Sequence, residues 1–323
     1  MNPLVSIITV SYNHPEVTID MLHSLQKITY KPIEIFVIDN ASPNDDPTPI
    51  RDKFPDIHFI RLDKNIGFAG ANNVGIKLAH GKYILLLNND TEVPSGFLEP
   101  LVQKMEANLQ IGVVSPKIKF YHFPDTIQYA GVTPFHPLTI RTKGLGYGKV
   151  DKGQFDKDSK TAFAHGAAMM VSMSAIKKAG LLPDVYFLYY EELDWCEAIR
   201  RAGYEVWYVH NSTVLHKESV STGRLSPLKT YYMNRARLIF LQRNLKFPLL
   251  WFSIIYQLLV AIPKNLTFFL LKGQFDLFGA YWKALWWNLG KKEHYSIKVT
   301  PRLEELTHEE NNLILEYRRP ASM

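Results

Sequence analysis

Two hydrophobic periods alternate along the first 120 residues. Short apolar runs at Leu4–Val10, Ile33–Ile38, His58–Leu62, Tyr83–Leu87 and Gly112–Ile118 have the length and composition of buried strands. Between them, Glu16–Gln26, Asp46–Phe54, Gly70–Ala79 and Gly96–Ala107 are predicted helices. Such alternation predicts an α/β fold, a mostly parallel sheet flanked by helices on both faces, with functional loops at the carboxyl ends of the strands. Beyond it, Glu205–Val209 reads as a further strand ending in a short polar turn. Tyr121–Lys160, with five glycines among prolines and lysines, reads as a long irregular segment and a candidate lid.

The pattern changes near residue 240. PLLWFSIIYQLLVAI runs from Pro248 to Ile262, Pro263-Lys264 interrupts it, and NLTFFLL follows. Neither run reaches the roughly 20 residues of a membrane-spanning helix. FDLFGAYWKALWWNLGKK then places Phe278, Trp282 and Leu285 at helical spacing, widened by Tyr281, Trp286 and Trp287 and flanked by Lys283, Lys291 and Lys292. Aromatics with lysines on an amphipathic helix are the composition of an element lying in a membrane interface. Residues 241–300 are therefore expected to form apolar and amphipathic helices that meet an inner membrane surface through residues 245–292. A helical hairpin covering the main domain or a second copy of the chain is the alternative, and makes a homo-oligomer its consequence. Residues 302–323 read as a short amphipathic helix and tail.

Charge supports the membrane reading. Residues 224–300 carry 12 Lys and Arg against Asp276 and Glu293, whereas the remainder of the +6 chain is slightly acidic. One basic segment on a near-neutral body implies an anionic surface. Its long aliphatic runs exclude a nucleic-acid groove, which needs spaced stacking aromatics on a polar face. The single cysteine, Cys196, excludes an internal disulfide and a cysteine-built zinc site, leaving oxygen or histidine to ligate any metal. The opening MNPLVSIITVSYN has no positive leader and reads as a first strand, so the protein is expected on the cytoplasmic face of the membrane, peripherally bound.

Candidate chemistry gathers at the strand ends. ILLLNNDT stops an apolar run at Asn88, Asn89 and Asp90, where a carboxylate can hold a divalent cation against a diphosphate. The other ends carry Ser11-Tyr12-Asn13, Asp39-Asn40-Ala41-Ser42 and Asp63-Lys64-Asn65. Four polar ends on one sheet edge are best explained by a ligand. The glycines of DKNIGFAGANNVGI do not fit the dinucleotide fingerprint, which follows a first strand with different spacing, so no redox cofactor is expected. In YYEELDWCEAIRRAGY, Glu191, Glu192 and Asp194 open a helix. Carboxylates there complement the helix dipole, which accounts for one of them. Glu191 and Glu192 project about 100° apart, so one can face a substrate while the other is structural.

The ordered motifs VSIITVSYN, FVIDNAS, NIGFAGANNVGI, YILLLNNDTEV, HGAAMMVSMSAIKKAG and YYEELDWCEAIRRAGY resemble the family 2 glycosyltransferases, most closely their bacterial rhamnosyltransferase-like branch. The resemblance implies a GT-A fold over residues 1–240, with a nucleotide-sugar half (1–120) and an acceptor half (121–240), and inverting transfer from a nucleotide-sugar donor to a lipid-linked or glycan acceptor. It places base and ribose near Val10, Tyr12, Asp39 and Asn40, with Asn65 and Asn72 lining the donor pocket. Asn88 and Asn89 precede Asp90, which would hold Mn²⁺ or Mg²⁺ on the diphosphate, with His216 at the same site. Glu192 is implied as the general base, with Glu191 the alternative and Asp194 beside them. His165 would line the pocket, and Arg224, Lys229, Tyr231, Tyr232, Asn234 and Arg235 could meet a diphosphate. L-rhamnose from dTDP-rhamnose is the implied donor, with UDP-galactose, UDP-galactofuranose and UDP-N-acetylglucosamine as alternatives. A catalytically weak sugar-nucleotide-binding scaffold is the alternative class.

Overall fold

The computed structural model of the protein describes residues 1–217, 226–290 and 311–320. Its first part runs β1 (Val5–Ser11), α1 (Pro15–Leu25), β2 (Ile33–Asp39), α2 (Thr48–Lys53), β3 (His58–Leu62), α3 (Gly67–Leu78), β4 (Tyr83–Leu87), β5 (Thr91–Glu92), α4 (Leu98–Ala107) and β6 (Ile111–Phe120). It continues through β7 (Phe123–Tyr129), β8 (Ser159–Lys160), β9 (Ala168–Ser172), α5 (Met173–Ala179), α6 (Glu191–Arg201), β10 (Glu205–His216) and α7 (Pro227–Asn244). α8 (Leu249–Tyr256), α9 (Ile262–Leu271), α10 (Phe275–Leu289) and β11 (Ile314–Arg318) complete the described chain.

The strands form one mixed, mostly parallel sheet in the order β11-β3-β2-β1-β4-β9-β6-β10-β5, with β7 pairing on β6 and β8 on β10. The parallel β3-β2-β1-β4 block is joined to the parallel β6–β10 pair through β9, antiparallel to both β4 and β6. Both faces are buried, which is why the strands read as continuous apolar runs. Within β1, Val5 and Ile7 join one core with Met21, Leu22 and Leu101, while Ile8 joins the other with Val74, Ala175 and Ile199. A third cluster, around Tyr186, Tyr190, Ile239 and Phe240, sits between α7 and the loop before α6.

The expected strands and helices of residues 1–120 are present, and four expectations elsewhere are revised. Tyr121–Lys160 is structured, because β7 folds back antiparallel on β6 and the segment returns through bridges at Thr126–Val150 and Val132–Gly144. The strand from Glu205 does not end at Val209. It passes a bulge between Val209 and Thr213 and continues to His216, held by Ser212 Oγ donating to Phe97 O. Described residues of the C-terminal tail form a strand: β11 pairs antiparallel with the edge strand β3.

The fourth revision concerns Pro263. The chain from Leu249 to Leu271 is one 23-residue helix, long and apolar enough by length and composition to cross a membrane. A π-turn at Gln257–Ala261 precedes the proline, and Ile262 N–H donates to Gln257 O. A widened turn there absorbs the residue that cannot donate, where an unbroken α-ladder would be interrupted. Ser253 and Gln257 face the body, both donating to Leu138 O. Trp251, Phe252, Leu258, Leu259 and Phe268 on this helix, with Phe275, Trp282, Trp286 and Leu289 on α10, are exposed. Arg224, Lys291, Lys292 and residues 301–310 lie outside the described residues.

Candidate active site

The β4 end is set by backbone bonds. Asn88 N–H donates to Ala167 O at 2.9 Å, and Thr91 Oγ1 donates to Asn88 O at 2.7 Å, turning the chain into β5. β5 pairs with the end of β10, opposing His216 to Thr91, while Lys217 N–H donates to Asp90 O at 2.8 Å. Asp90 and His216, 126 positions apart in the chain, are thereby held side by side, with His216 Nε2 3.1 Å from Asp90 Oδ1.

The polarity of this contact is informative. His216 Nδ1 lies 2.8 Å from Gln128 Oε1, a carbonyl oxygen that only accepts, so Nδ1 carries the proton. Nε2 then faces the Asp90 carboxylate, a contact that either a proton on Nε2 or a cation bound by both groups satisfies. Asp90 Oδ1 and Asn88 Oδ1 are both buried without a hydrogen-bond partner. A carboxylate oxygen, an imidazole nitrogen and a neutral amide oxygen that lack donors fit a divalent cation, with Gln128 orienting the histidine. Among the described residues no group of three His, Cys, Asp or Glu side chains forms a complete cage. The residues thus suit a cation that takes further ligands from a phosphate.

His165 flanks this pair, its ring centroid 5.9 Å from His216. Burial and, secondarily, the neighbouring His216 push its pKa down to about 3, against the pull of Asp90. Ala167 N–H donates to His165 Nδ1 at 3.1 Å, so the neutral ring offers Nε2–H as a donor. The next residue, Gly166, lies beneath Glu192. A Cβ there would sit 3.6 Å from Glu192 Oε1, which brings the start of α6 to the β9 edge of the same site.

The loop before α6 is held in an unusual conformation. Phe187, Tyr189 and Tyr190 all have positive φ, between 65° and 75°. Non-glycine residues adopt this region only when surrounding structure holds them there. Phe187 O accepts from Phe68 N–H at 2.8 Å, and any Cβ on Gly67 would meet that carbonyl at 2.5 Å, so α3 can start there only with glycine. The strained loop delivers two carboxyls that have no basic side chain as partner among the described residues. Glu191 is buried and its Oε2 has no partner. Burial, then the charge of Glu192, raises its pKa well above the usual carboxylate range. Glu192 is partly exposed, and burial lifts its pKa to about 7, opposed by its own backbone amide.

Asp194, two residues on, is fully engaged. It accepts from Arg243 Nε, from Asn244 Nδ2 at 2.8 Å and from Tyr186 Oη at 3.0 Å. It ties α6 to α7 and to the loop before Glu191.

The other predicted residues form a second group at the β1 and β2 ends. Asp39 is buried, accepts from Ser42 Oγ and lies 3.5 Å from Arg61 Nε; burial nonetheless raises its pKa. Asn40 and Asn65 pair at 3.0 Å, and both fix the turn into α3 through Ile66 N–H and Gly67 N–H. Val10 and Tyr12 are partly exposed at the β1 end, where Asn13 N–H donates to Ser42 Oγ. Asn89 turns from the Asp90–His216 pair to donate to Thr18 Oγ1 on α1, and Asn72 spends its amide within α3, on Phe68 O. Gln128 is a site residue that sequence reasoning missed. It sits in the segment read as irregular, and only the β6–β7 pairing carries it to His216.

The fold has known counterparts. The family model described as glycosyl transferase family 2 matches residues 6–180. The low-salt glycan biosynthesis hexosyltransferase Agl10 of Haloferax volcanii is 24% identical over 239 residues, 71% of this chain and 72% of that protein. The N-acetylglucosaminyl-diphospho-decaprenol L-rhamnosyltransferase of Mycobacterium tuberculosis is 22% identical over 247 residues, 69% of this chain and 79% of that one. Among solved structures, GalNAc-T7 with UDP, GalNAc and Mn²⁺ superposes with a TM-score of 0.59 at 16% identity. That match covers 76% of this chain, which spans about half (52%) of the GalNAc-T7 chain. With a family match over more than half its length laid on a sheet of GT-A type, the chain belongs to glycosyl transferase family 2.

Proposed function

We propose that the protein is a metal-dependent inverting glycosyltransferase that moves a sugar from a nucleotide-sugar donor to a lipid-linked glycan precursor at a membrane surface. The observation that carries this reading is the convergence of Asp90 and Asn88, whose buried Oδ1 atoms have no hydrogen-bond partner, with His216 3.1 Å from Asp90 and with Glu192 lying over Gly166. A bound divalent cation would neutralise the charge that develops on the leaving nucleoside diphosphate. The group at Asp39, Asn40 and Asn65 is assigned to base and ribose, with Val10 and Tyr12 beside it. Glu192 is assigned as the base. A pKa of about 7 suits a carboxylate that must take a hydroxyl proton near neutrality. Glu191, more deeply buried, is held neutral and serves as its neighbour. Asp194 positions the helix that carries both.

Rhamnose is the donor sugar we favour. The support is the sequence resemblance and the L-rhamnosyltransferase named among the relatives. Membrane association rests on the exposed apolar face of α8 to α10. The bonds of Ser253 and Gln257 to Leu138 hold the middle of the long helix against the body, which favours a helix lying along an interface over one crossing it. Calorimetric titration with dTDP-rhamnose, UDP-galactose, UDP-N-acetylglucosamine and GDP-mannose, with manganese and with chelator, tests the reading. Manganese-dependent binding of one donor, lost in Asp90→Ala, is the expected outcome; donor affinity untouched by Asp90→Ala would remove the metal assignment.

A further inference from the structure

Helix α7 carries Lys229, Arg235, Arg237 and Arg243 and no acidic residue. Arg243 is neutralised by Asp194. The other three have no carboxylate partner among the described residues, and their polar contacts are with neutral groups. Arg235 Nη2 donates to Val185 O at 3.1 Å, while its Nε is buried without a partner. Arg237 Nε lies 3.3 Å from Tyr190 Oη and its Nη1 3.4 Å from Asn234 Oδ1. Lys229 Nζ stands 6.0 Å from the Tyr189 ring. Each of these cations therefore reaches the strained loop that ends at Glu191.

The same cluster touches the apolar face. Arg235 stacks on Trp287 of α10, 3.6 Å from its ring centroid, and Asn288 Nδ2 lies 3.4 Å from Arg235 O. On the same helix Trp286, the residue before Trp287, and Trp282 are exposed with the rest of the apolar surface. Tyr232 closes the cluster by stacking on Phe187 at 5.1 Å. Three cations with no carboxylate partner among the described residues thus lie between the exposed apolar surface and the loop that leads into α6. A planar guanidinium with free N–H groups suits a phosphate oxygen pair, and a lysine adds a point charge.

We propose that Lys229, Arg235 and Arg237 bind the diphosphate of a lipid-linked acceptor, its hydrocarbon chain lying on the α8–α10 face and its terminal sugar hydroxyl directed to Glu192. This rests on the transferase reading above and adds the acceptor's anchoring residues to it. The competing source of the same chemistry is the donor's own diphosphate, which would place these cations on the nucleotide side.

The test is sedimentation of the full chain with neutral phosphatidylcholine vesicles containing farnesyl diphosphate or, as the uncharged control, farnesol. Calorimetric titration of UDP with manganese runs in parallel. Farnesyl diphosphate should raise vesicle binding about tenfold over farnesol, and Lys229→Gln with Arg235→Gln should return it to the farnesol level. UDP affinity should be unchanged in that variant. Arg235→Lys, which keeps the charge but not the planar stacking on Trp287, should retain part of the gain, so a loss through misfolding is separable by comparison with it. Equal binding to both lipids overturns the proposal, and so does a parallel loss of UDP affinity in the double variant, which would assign the cations to the donor. If the protein binds no nucleotide yet retains diphosphate-dependent vesicle binding abolished by the double variant, the anionic-lipid site stands and the transferase reading fails.

Discussion

Glu192 and Asp194 stand two residues apart in the first turn of one helix, and the fold treats them oppositely. Asp194 meets Arg243, Asn244 and Tyr186 and has both oxygens engaged. Glu192, with Glu191 beside it, has no cation, and burial drives both toward the neutral form. The same division runs along α7, where Arg243 is neutralised and Lys229, Arg235 and Arg237 are not. Among the described residues, charge is compensated where the two helices are joined, and left uncompensated beside the loop that leads into α6. The uncompensated groups are the ones available to act on a substrate.

This contrast can be broken experimentally. Glu192→Gln should cut transfer by about 10²–10⁴-fold while donor affinity stays intact, the expected loss for a general base. If single-turnover rates fall in Glu191→Gln and not in Glu192→Gln, the base is the neighbouring residue. Asp194→Ala should act on stability instead. Leaving Arg243 buried without its partner costs about 3–5 kcal/mol, read as a lowered denaturation midpoint. A transfer defect at full stability in that variant would erase the distinction between the two carboxyls.

The pH dependence sharpens the comparison further. As a base Glu192 must be ionised, so the rate should rise about tenfold per pH unit below its limb and level off above pH ~7. Stability should move the other way. A carboxyl whose folded pKa is raised favours the native state fully below its unfolded value, near 4.5, and this contribution fades as pH rises through about 7. Glu191, also raised by burial, acts in the same direction. Glu192→Gln should flatten the rate limb and the corresponding part of the stability profile, and an unshifted limb would exclude Glu192 as its origin. The smallest effect is expected at the membrane face. Trp282→Ser with Trp286→Ser should weaken sedimentation with anionic vesicles severalfold and leave the denaturation midpoint unchanged, because both side chains are exposed. Unaltered vesicle binding would favour the face's alternative use, covering a second copy of the chain.

What was legible in the sequence follows from its local physics. Strand and helix periods placed β1 to β4, β6 and α1 to α4 within a few residues, because each segment's burial is written in its own alternation. The apolar stop at Asn88-Asn89-Asp90 and the acidic start of α6 were equally local. The C-terminal helix was not legible, since a proline interrupts an α-ladder in isolation and the π-turn that accommodates it is a cooperative feature of the helix. Nor was the strand of the C-terminal tail, whose ladder partner β3 lies some 250 residues earlier.

The sequence by itself determined the α/β class, the polar strand ends, the basic aromatic C-terminal segment and the residue types available for catalysis. Tertiary structure alone decided their pairing. His216 meets Asp90 because β5 and β10 pair, Gln128 orients it because β7 folds back on β6, and Asp194 is structural because α7 packs Arg243 against it. A carboxylate's role depends on which charges and donors stand within a few ångströms, and those neighbours come from distant parts of the chain.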